Sequence, residues 1–222
     1  MASGKGRVLG LLGALVLSEA RVVSAKRVGA FVHLRIHVKA AAFEPGDKIQ
    51  ILLPSKDVRT YTPLGWEEGE DGELYSELLI YLHSVDTPAT AWACSIAEGD
   101  LLRFVGPQRS LRMPEGALVL IGDETSVAVA AAYTRARAGQ VRALFVGDQQ
   151  VLAPALETAG LDARVFAGPE PLAAALAEML PAAVGITGGG ALIQRVRAQM
   201  RARQMKPEKI KAYWIAGRTG ID

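Results

Sequence analysis

The chain has 222 residues, half of them hydrophobic, which is enough to bury two small cores. Its 25 Lys and Arg against 23 Asp and Glu leave a formal charge of +2, so no global basic field marks it as a nucleic-acid binder. One cysteine, Cys94, excludes an internal disulfide, a cysteine-rich zinc site and a cysteine-held iron–sulfur cluster within the chain, and reads as an inert reduced thiol.

At the N-terminus Lys5 and Arg7 precede the apolar run Val8 to Leu17, with small residues at Ser18-Glu19-Ala20. This has the outline of a signal peptide. The run is short and glycine-containing, and the reading adopted is an amphipathic lead-in helix on a cytoplasmic protein. No later stretch has the uninterrupted apolar length of a membrane span.

From Ala20 to Val38 apolar residues recur with period two, which predicts two antiparallel strands. His33 and His37 fall on the polar face and read as solvated, with no metal assigned. Phe43 to Asp47 is a turn by composition, and Lys48 to Pro54 is a strand leading through Ser55-Lys56-Asp57 into Val58-Arg59-Thr60-Tyr61-Thr62-Pro63-Leu64. Residues two apart on a strand share a face, so Arg59 and Tyr61 point the same way. A guanidinium there can grip a pyrophosphate by paired charged hydrogen bonds, and a phenol ring can flank a flat heterocycle. Thr62 places a hydroxyl on the other side of that ring, near the N5 of a flavin, and Pro63 ends the ladder.

Trp66 to Gly72 is an acidic hairpin tip, and Leu74 to His83 a strand buried on both faces. Thr87 is an N-cap candidate with Pro88 at the first helical position; the free N–H groups of that helix and the Thr90 hydroxyl suit a phosphate. Leu101 to Val105 is a further strand, closed by Gly106-Pro107. The first half therefore predicts a small antiparallel β-barrel, residues 1–112.

Residues 113–222 predict a Rossmann-like parallel α/β domain. Strands at Leu118 to Ile121, Val141 to Val146, Ala163 to Phe166, Ala183 to Thr187 and Ile210 to Ile215 alternate with Ala-rich helices at Thr125 to Ala138, Val151 to Ala159, Pro171 to Leu180 and Ala191 to Arg203. Ligands of such sheets lie at the carboxyl ends of the strands, which places Gly122-Asp123-Glu124-Thr125 and Gly188-Gly189-Gly190 where a nucleotide would sit.

Taken in order, these pieces resemble the siderophore-interacting proteins, the ferric-siderophore reductase branch of the ferredoxin-NADP reductase superfamily. Arg59-Thr60-Tyr61-Thr62 is similar to the family's FAD-binding motif, and His83 with Thr87-Pro88-Ala89-Thr90-Ala91-Trp92-Ala93 resembles its second signature at the FAD pyrophosphate. Gly99-Asp100 and Gly106-Pro107 fit two further fixed points. Gly122-Asp123-Glu124-Thr125 resembles the opening of the nicotinamide-nucleotide domain, and Ala212-Tyr213-Trp214-Ile215-Ala216-Gly217-Arg218 its terminal segment. In three places the chain departs from the branch: Thr62-Pro63-Leu64 is closer to the wider superfamily, Gly188-Gly189-Gly190-Ala191 replaces an Ala-Gly-Glu triplet, and Ala212 replaces a glycine.

The resemblance implies an FAD-dependent ferric-chelate reductase that passes electrons from NADPH or NADH through flavin to Fe(III), with Tyr61 and Thr62 at the reacting flavin. The cofactor contacts it implies are Arg59, Thr60, Tyr61, Thr62, His83, Thr87, Ala89, Thr90, Trp92, Gly122, Asp123, Glu124, Thr125 and Trp214. Lys48, Lys56, Arg109 and Arg112 are candidate cations for an anionic ferric siderophore. The alternatives are an electron transferase serving ferredoxin or flavodoxin, and a flavin-binding module without turnover.

Overall fold

The computed structural model describes residues 17–39, 42–83, 87–179 and 181–217. The run Val8 to Leu17, apart from Leu17, and the terminal Arg218 lie outside them. Two compact units follow one another, Met1–Ser110 and Leu111–Asp222.

In the first unit, strands β1 (Ser18–Val28), β2 (Phe31–His37), β3 (Lys48–Leu52), β4 (Val58–Tyr61), β5 (Trp66–Glu68), β6 (Leu74–Tyr81) and β7 (Leu101–Gln108) form one antiparallel sheet. Its order is β4-β3-β7-β1-β2-β6-β5, barrel-like but not closed. Alternation drives the burial: Leu34 and Ile36 of β2, and Ile49 and Ile51 of β3, are fully buried while their neighbours are not. Ser18, Glu19 and Ala20 belong to β1, where they pair with Phe104, Arg103 and Leu102. Helix α1 (Pro88–Ser95) packs Ala93 into the same core.

The Gly106-Pro107 pair does not end its strand. β7 continues to Gln108, which pairs with Lys48 beyond a register shift, and Gly106 takes φ +130° against the backbone of Lys48 and Ile49. A bulge absorbs the proline that an even ladder would reject.

In the second unit β8 (Leu118–Gly122), β9 (Val141–Val146), β10 (Ala163–Phe166), β11 (Ala183–Gly189) and β12 (Lys209–Trp214) make a parallel sheet of order β10-β9-β8-β11-β12. Helices α2 (Val127–Ala136), α3 (Gln149–Ala159), α4 (Pro169–Ala177) and α5 (Gly190–Ala202) connect the strands. The chain reverses its direction of growth between β8 and β11, the switch point at which such sheets take ligands. The unit begins at Leu111 because the buried Tyr133 hydroxyl donates to Leu111 O (2.9 Å) and accepts from Met113 N (3.1 Å). Arg137 adds bonds to the carbonyls of Pro114 and Met113.

Candidate functional site

In the first unit the site is built on β4, an edge strand. Tyr61 registers with Ile49 and Arg59 with Ile51, both fully buried, so Arg59 and Tyr61 occupy the inward face while Thr60, opposite Gln50, is exposed on the other. The Arg59 guanidinium makes one hydrogen bond, Nη1 to Val58 O at 2.9 Å. It is half-buried, and the rest of its fork has no partner among the described residues. The same holds for the half-buried Tyr61 hydroxyl and for Thr62, which follows the strand. Desolvation by burial pushes the Tyr61 phenol well above its ordinary range, against a smaller opposing pull from Arg59. Tyr61 therefore stays a neutral hydrogen-bond donor at any working pH.

Helix α1 brings a second aromatic to this face. The Trp92 ring lies 6.1 Å from Tyr61 at 33°, and both pack with Ala89 on the core of the unit. The local sequence specifies the helix start: Thr87 Oγ1 accepts from Thr90 N at 3.1 Å and sits 3.1 Å from Thr90 Oγ1, with Pro88 in the first turn. His83 is exposed, its ring edge-on to Tyr81 at 5.0 Å. A half-buried guanidinium with unused donors, and a phenol with an unused donor beside the Trp92 ring, fit the pyrophosphate and flat ring of FAD.

The sequence signals in the second unit converge on one carboxylate. Asp123 is 5% exposed. Its Oδ1 accepts from Thr125 N (3.0 Å) and Thr125 Oγ1, and its Oδ2 from Gly189 N (2.7 Å) and Trp214 Nε1 (3.2 Å). Asp123 thus ties together the carboxyl ends of β8, β11 and β12. This explains two of the three consecutive glycines. A Cβ on Gly188, which has φ +109°, would stand 2.6 Å from Asp123, and one on Gly189 would stand 2.6 Å from the Trp214 indole. Spacing along the sequence could not reveal this arrangement, because the partners lie 66 and 91 residues apart.

Gly122 and Glu124 face other neighbours. A Cβ on Gly122 would meet Ser126, whose Oγ is buried and has no hydrogen-bond partner among the described residues. An orphaned hydroxyl at the start of α2, beside a strand end stripped of its side chain, fits a dinucleotide phosphate. Glu124 lies against Gly147, and burial, reinforced by the charges of Asp123 and Asp148, raises its carboxyl above the usual 4.5. A raised carboxyl contributes stability that is full below the unfolded value and lost as pH rises through the folded one. Glu124→Gln is therefore expected to raise Tm at pH 7, with the gain over wild type shrinking as pH falls through the raised folded value toward 4.5 and gone below it. Thermal melts across pH would check this, and a gain that grows toward acid would contradict it.

Lys56 and Arg109 are exposed, Lys48 opens β3, and Arg112 belongs to the second unit with Nη1 on Leu111 O at 3.2 Å. His33 and His37 pair with Glu77 (3.3 Å) and Glu73 (2.8 Å). Among the described residues no cluster could hold a metal ion, and no helix is long and apolar enough to cross a membrane.

Residues 54–111 match the family model of the siderophore-interacting FAD-binding domain, a span that contains Arg59, Tyr61, Thr62 and α1. No curated protein matches the chain. Among solved structures, the siderophore-interacting protein from Acinetobacter baumannii is 15% identical with a TM-score of 0.70, the match covering 93% of each chain. That from Aeromonas hydrophila is 21% identical with a TM-score of 0.65, over 92% of this chain and 93% of the other. Phthalate dioxygenase reductase, described as transferring electrons from pyridine nucleotides to [2Fe-2S], is 14% identical with a TM-score of 0.70, over 92% of this chain and 70% of the other. At these identities the structural likeness is one of fold. The chain thus resembles the siderophore-interacting FAD-binding domain in sequence over residues 54–111, and shares its fold with siderophore-interacting proteins and with phthalate dioxygenase reductase.

Proposed function

We propose that this chain is an FAD-dependent reductase that takes a hydride from NADH or NADPH and delivers electrons to a ferric siderophore, releasing Fe(II). The observation that carries the reading is the inward face of β4, where Arg59 and Tyr61 hold unused donors inside the segment that matches an FAD-binding family. FAD, when bound, supplies the conversion of a two-electron donor into single-electron delivery.

The chain's own residues bind and orient. Arg59 would hold the pyrophosphate, the start of α1 with Thr87 and Thr90 would add donors to it, and Tyr61, Trp92 and His83 would supply aromatic surface to the flavin. Tyr61 would give a hydrogen bond to the cofactor, and Thr62 would offer its hydroxyl to the reacting edge of the flavin. In the second unit Gly122, Ser126 and the start of α2 receive the dinucleotide. Ferric iron enters as substrate and needs no protein ligand, since reduction itself weakens its hold on the hard oxygen donors of a siderophore. Lys48, Lys56, Arg109 and Arg112 are the cations proposed to draw anionic chelates.

The test couples two measurements on the FAD-loaded protein: NAD(P)H consumption, and Fe(II) trapped by ferrozine from an anionic ferric chelate. The expected ratio is about one NAD(P)H per two Fe(II), with the rate falling as salt rises. Rapid reduction of ferredoxin or flavodoxin with negligible iron reduction would favour the electron-transferase reading. Bound FAD without NAD(P)H consumption would mark a non-catalytic module.

A further inference from the structure

We propose that the free margin of the parallel sheet in the second unit, where the flank of α5 meets the start of β12, docks on an anionic lipid bilayer. The inference goes beyond the reading above and needs neither FAD nor iron.

Charge is distributed unevenly along the chain. Between Arg195 and Lys211 stand seven cations and one acid, Glu208, a local +6 in a chain whose total is +2. The remaining residues therefore carry −4. At physiological salt the screening length is about 8 Å, so acids well beyond that distance do not cancel the cluster.

The fold gathers five of these cations at one margin. β12 is the last strand of its sheet. On α5, Gln199 turns toward α4, where its Nε2 donates to Glu170 Oε1 at 3.2 Å. Residues two positions away on a helix lie about 200° round, so Arg197 and Arg201 occupy the opposite flank, toward the margin. Glu208 N donates to Val184 O at 2.7 Å and Lys209 registers on Gly185, which sets Lys206 and Lys209 at the amino end of β11. Lys211 follows on the same side of β12 as Lys209. None of the five forms an ion pair among the described residues.

Ile210 adds an apolar element. It registers on the buried Ile186, which packs with Val196 and Met200 of α5, so it shares the sheet face that α5 covers. It is nonetheless 40% exposed, at the edge where that cover ends. An aliphatic side chain among long cationic stems suits the boundary of headgroups and acyl chains, where the stems cover apolar surface and the charges reach phosphates. Three of the five cations are lysines, compact charges on flexible stems, which suit a fluid layer of phosphates better than the fixed carboxylates of a protein partner. Among these six side chains no aromatic ring offers a nucleic-acid base a surface to stack on.

The apolar stripe of α5, Leu192, Ile193, Val196 and Met200, is committed to the core, so the helix does not insert. Attachment is therefore superficial and salt-sensitive. Lys206 and Lys209 lie at the amino ends of the strands, and α5, 13 residues long, spans about 20 Å between the two ends. The carboxyl ends, with Asp123 and Gly189, thus stay turned away from the lipid.

Co-sedimentation of the whole chain with vesicles of phosphatidylcholine alone, and of phosphatidylcholine and phosphatidylglycerol in equal parts, measures the partition. Binding to the mixed vesicles should exceed binding to the neutral ones roughly tenfold or more at low salt, and vanish toward about 1 M salt, where the screening length is about 3 Å. Arg201→Glu/Lys206→Glu/Lys209→Glu should lower the partition roughly 100-fold, and Ile210→Ser a few-fold without changing the salt dependence. Melts show that each variant folds. Lys26→Glu/Arg142→Glu/Arg164→Glu changes the net charge equally at exposed positions outside the cluster, and should bind within about twofold of wild type. Equal loss in both triple variants would overturn the docking surface, leaving only an effect of net charge. Absence of any preference for phosphatidylglycerol would overturn it too, as would tight binding of polyuridylate with none to the vesicles, which would make the cluster a nucleic-acid surface.

Discussion

Asp123→Ala is expected to destabilise the second unit by about 2–4 kcal/mol, because it removes one acceptor group that serves several donors. The Gly189 N–H is buried at the end of β11 and would lose its carboxylate acceptor, at 2.7 Å. Trp214 Nε1 would lose its bond, and the turn at Glu124–Ser126 would lose its Thr125 cap. A buried donor left without an acceptor costs about 1–3 kcal/mol, and a lost cap about 1 kcal/mol. In a unit of this size the melting temperature should fall by roughly 10–15 °C. Near-UV circular dichroism should change as well, since the indole would no longer be fixed on Gly189. Asp123→Asn should lie between, keeping an oxygen but turning an N–H toward one of the donors. The folded fraction should bind nucleotide much as wild type does, since the carboxylate's acceptor capacity is already used inside the protein. A variant that melts like wild type but loses nucleotide affinity would return Asp123 to the role of a direct cofactor contact.

What the sequence made legible follows from the range of the interactions. Alternation in His33–Val38 and Lys48–Leu52 exposed β2 and β3, because a strand with one buried face repeats every two residues. Thr87-Pro88 exposed the start of α1 for an equally local reason. The strand–helix rhythm after residue 113 likewise carried the parallel sheet. The packing reason for the Gly188-Gly189-Gly190 run was not legible, since the side chains that require the first two glycines come from β12 and the turn after β8. The Tyr133 latch that assigns Leu111 to the second unit joins residues 22 apart and has no local signature. Gly106-Pro107 looked like a strand end, because the pairing of Gln108 with Lys48 beyond it depends on a bulge that only the partner strand defines. Within the candidate flavin site, the shared face of Arg59 and Tyr61 was local and legible. The approach of Trp92 to Tyr61 depends on how α1 docks, which no spacing encodes.

Arg59→Ala is expected to weaken FAD binding by roughly 10- to 100-fold, as a charged hydrogen-bonding group contributes about 1.5–3 kcal/mol and each 1.4 kcal/mol is tenfold. The fold should barely notice. The guanidinium hydrogen-bonds the carbonyl of its own neighbour, Val58, and the buried side chains opposite β4 are Ile49 and Ile51 of β3. Two readouts separate binding from structure: FAD retained after gel filtration with the dissociation constant from flavin fluorescence, and the melting temperature of the protein stripped of FAD. A cofactor role predicts a pale protein whose apo form melts within a few degrees of wild-type apo, since the half-buried guanidinium has no hydrogen bond beyond its neighbour's carbonyl among the described residues. Arg59→Lys should recover part of the affinity, keeping the charge while losing the planar fork that matches a pyrophosphate with paired bonds. If the flavin content of the alanine variant equalled that of wild type, or if only the apo melting temperature fell, Arg59 would be a structural side chain and the cradle on β4 would have no anchor for its phosphate.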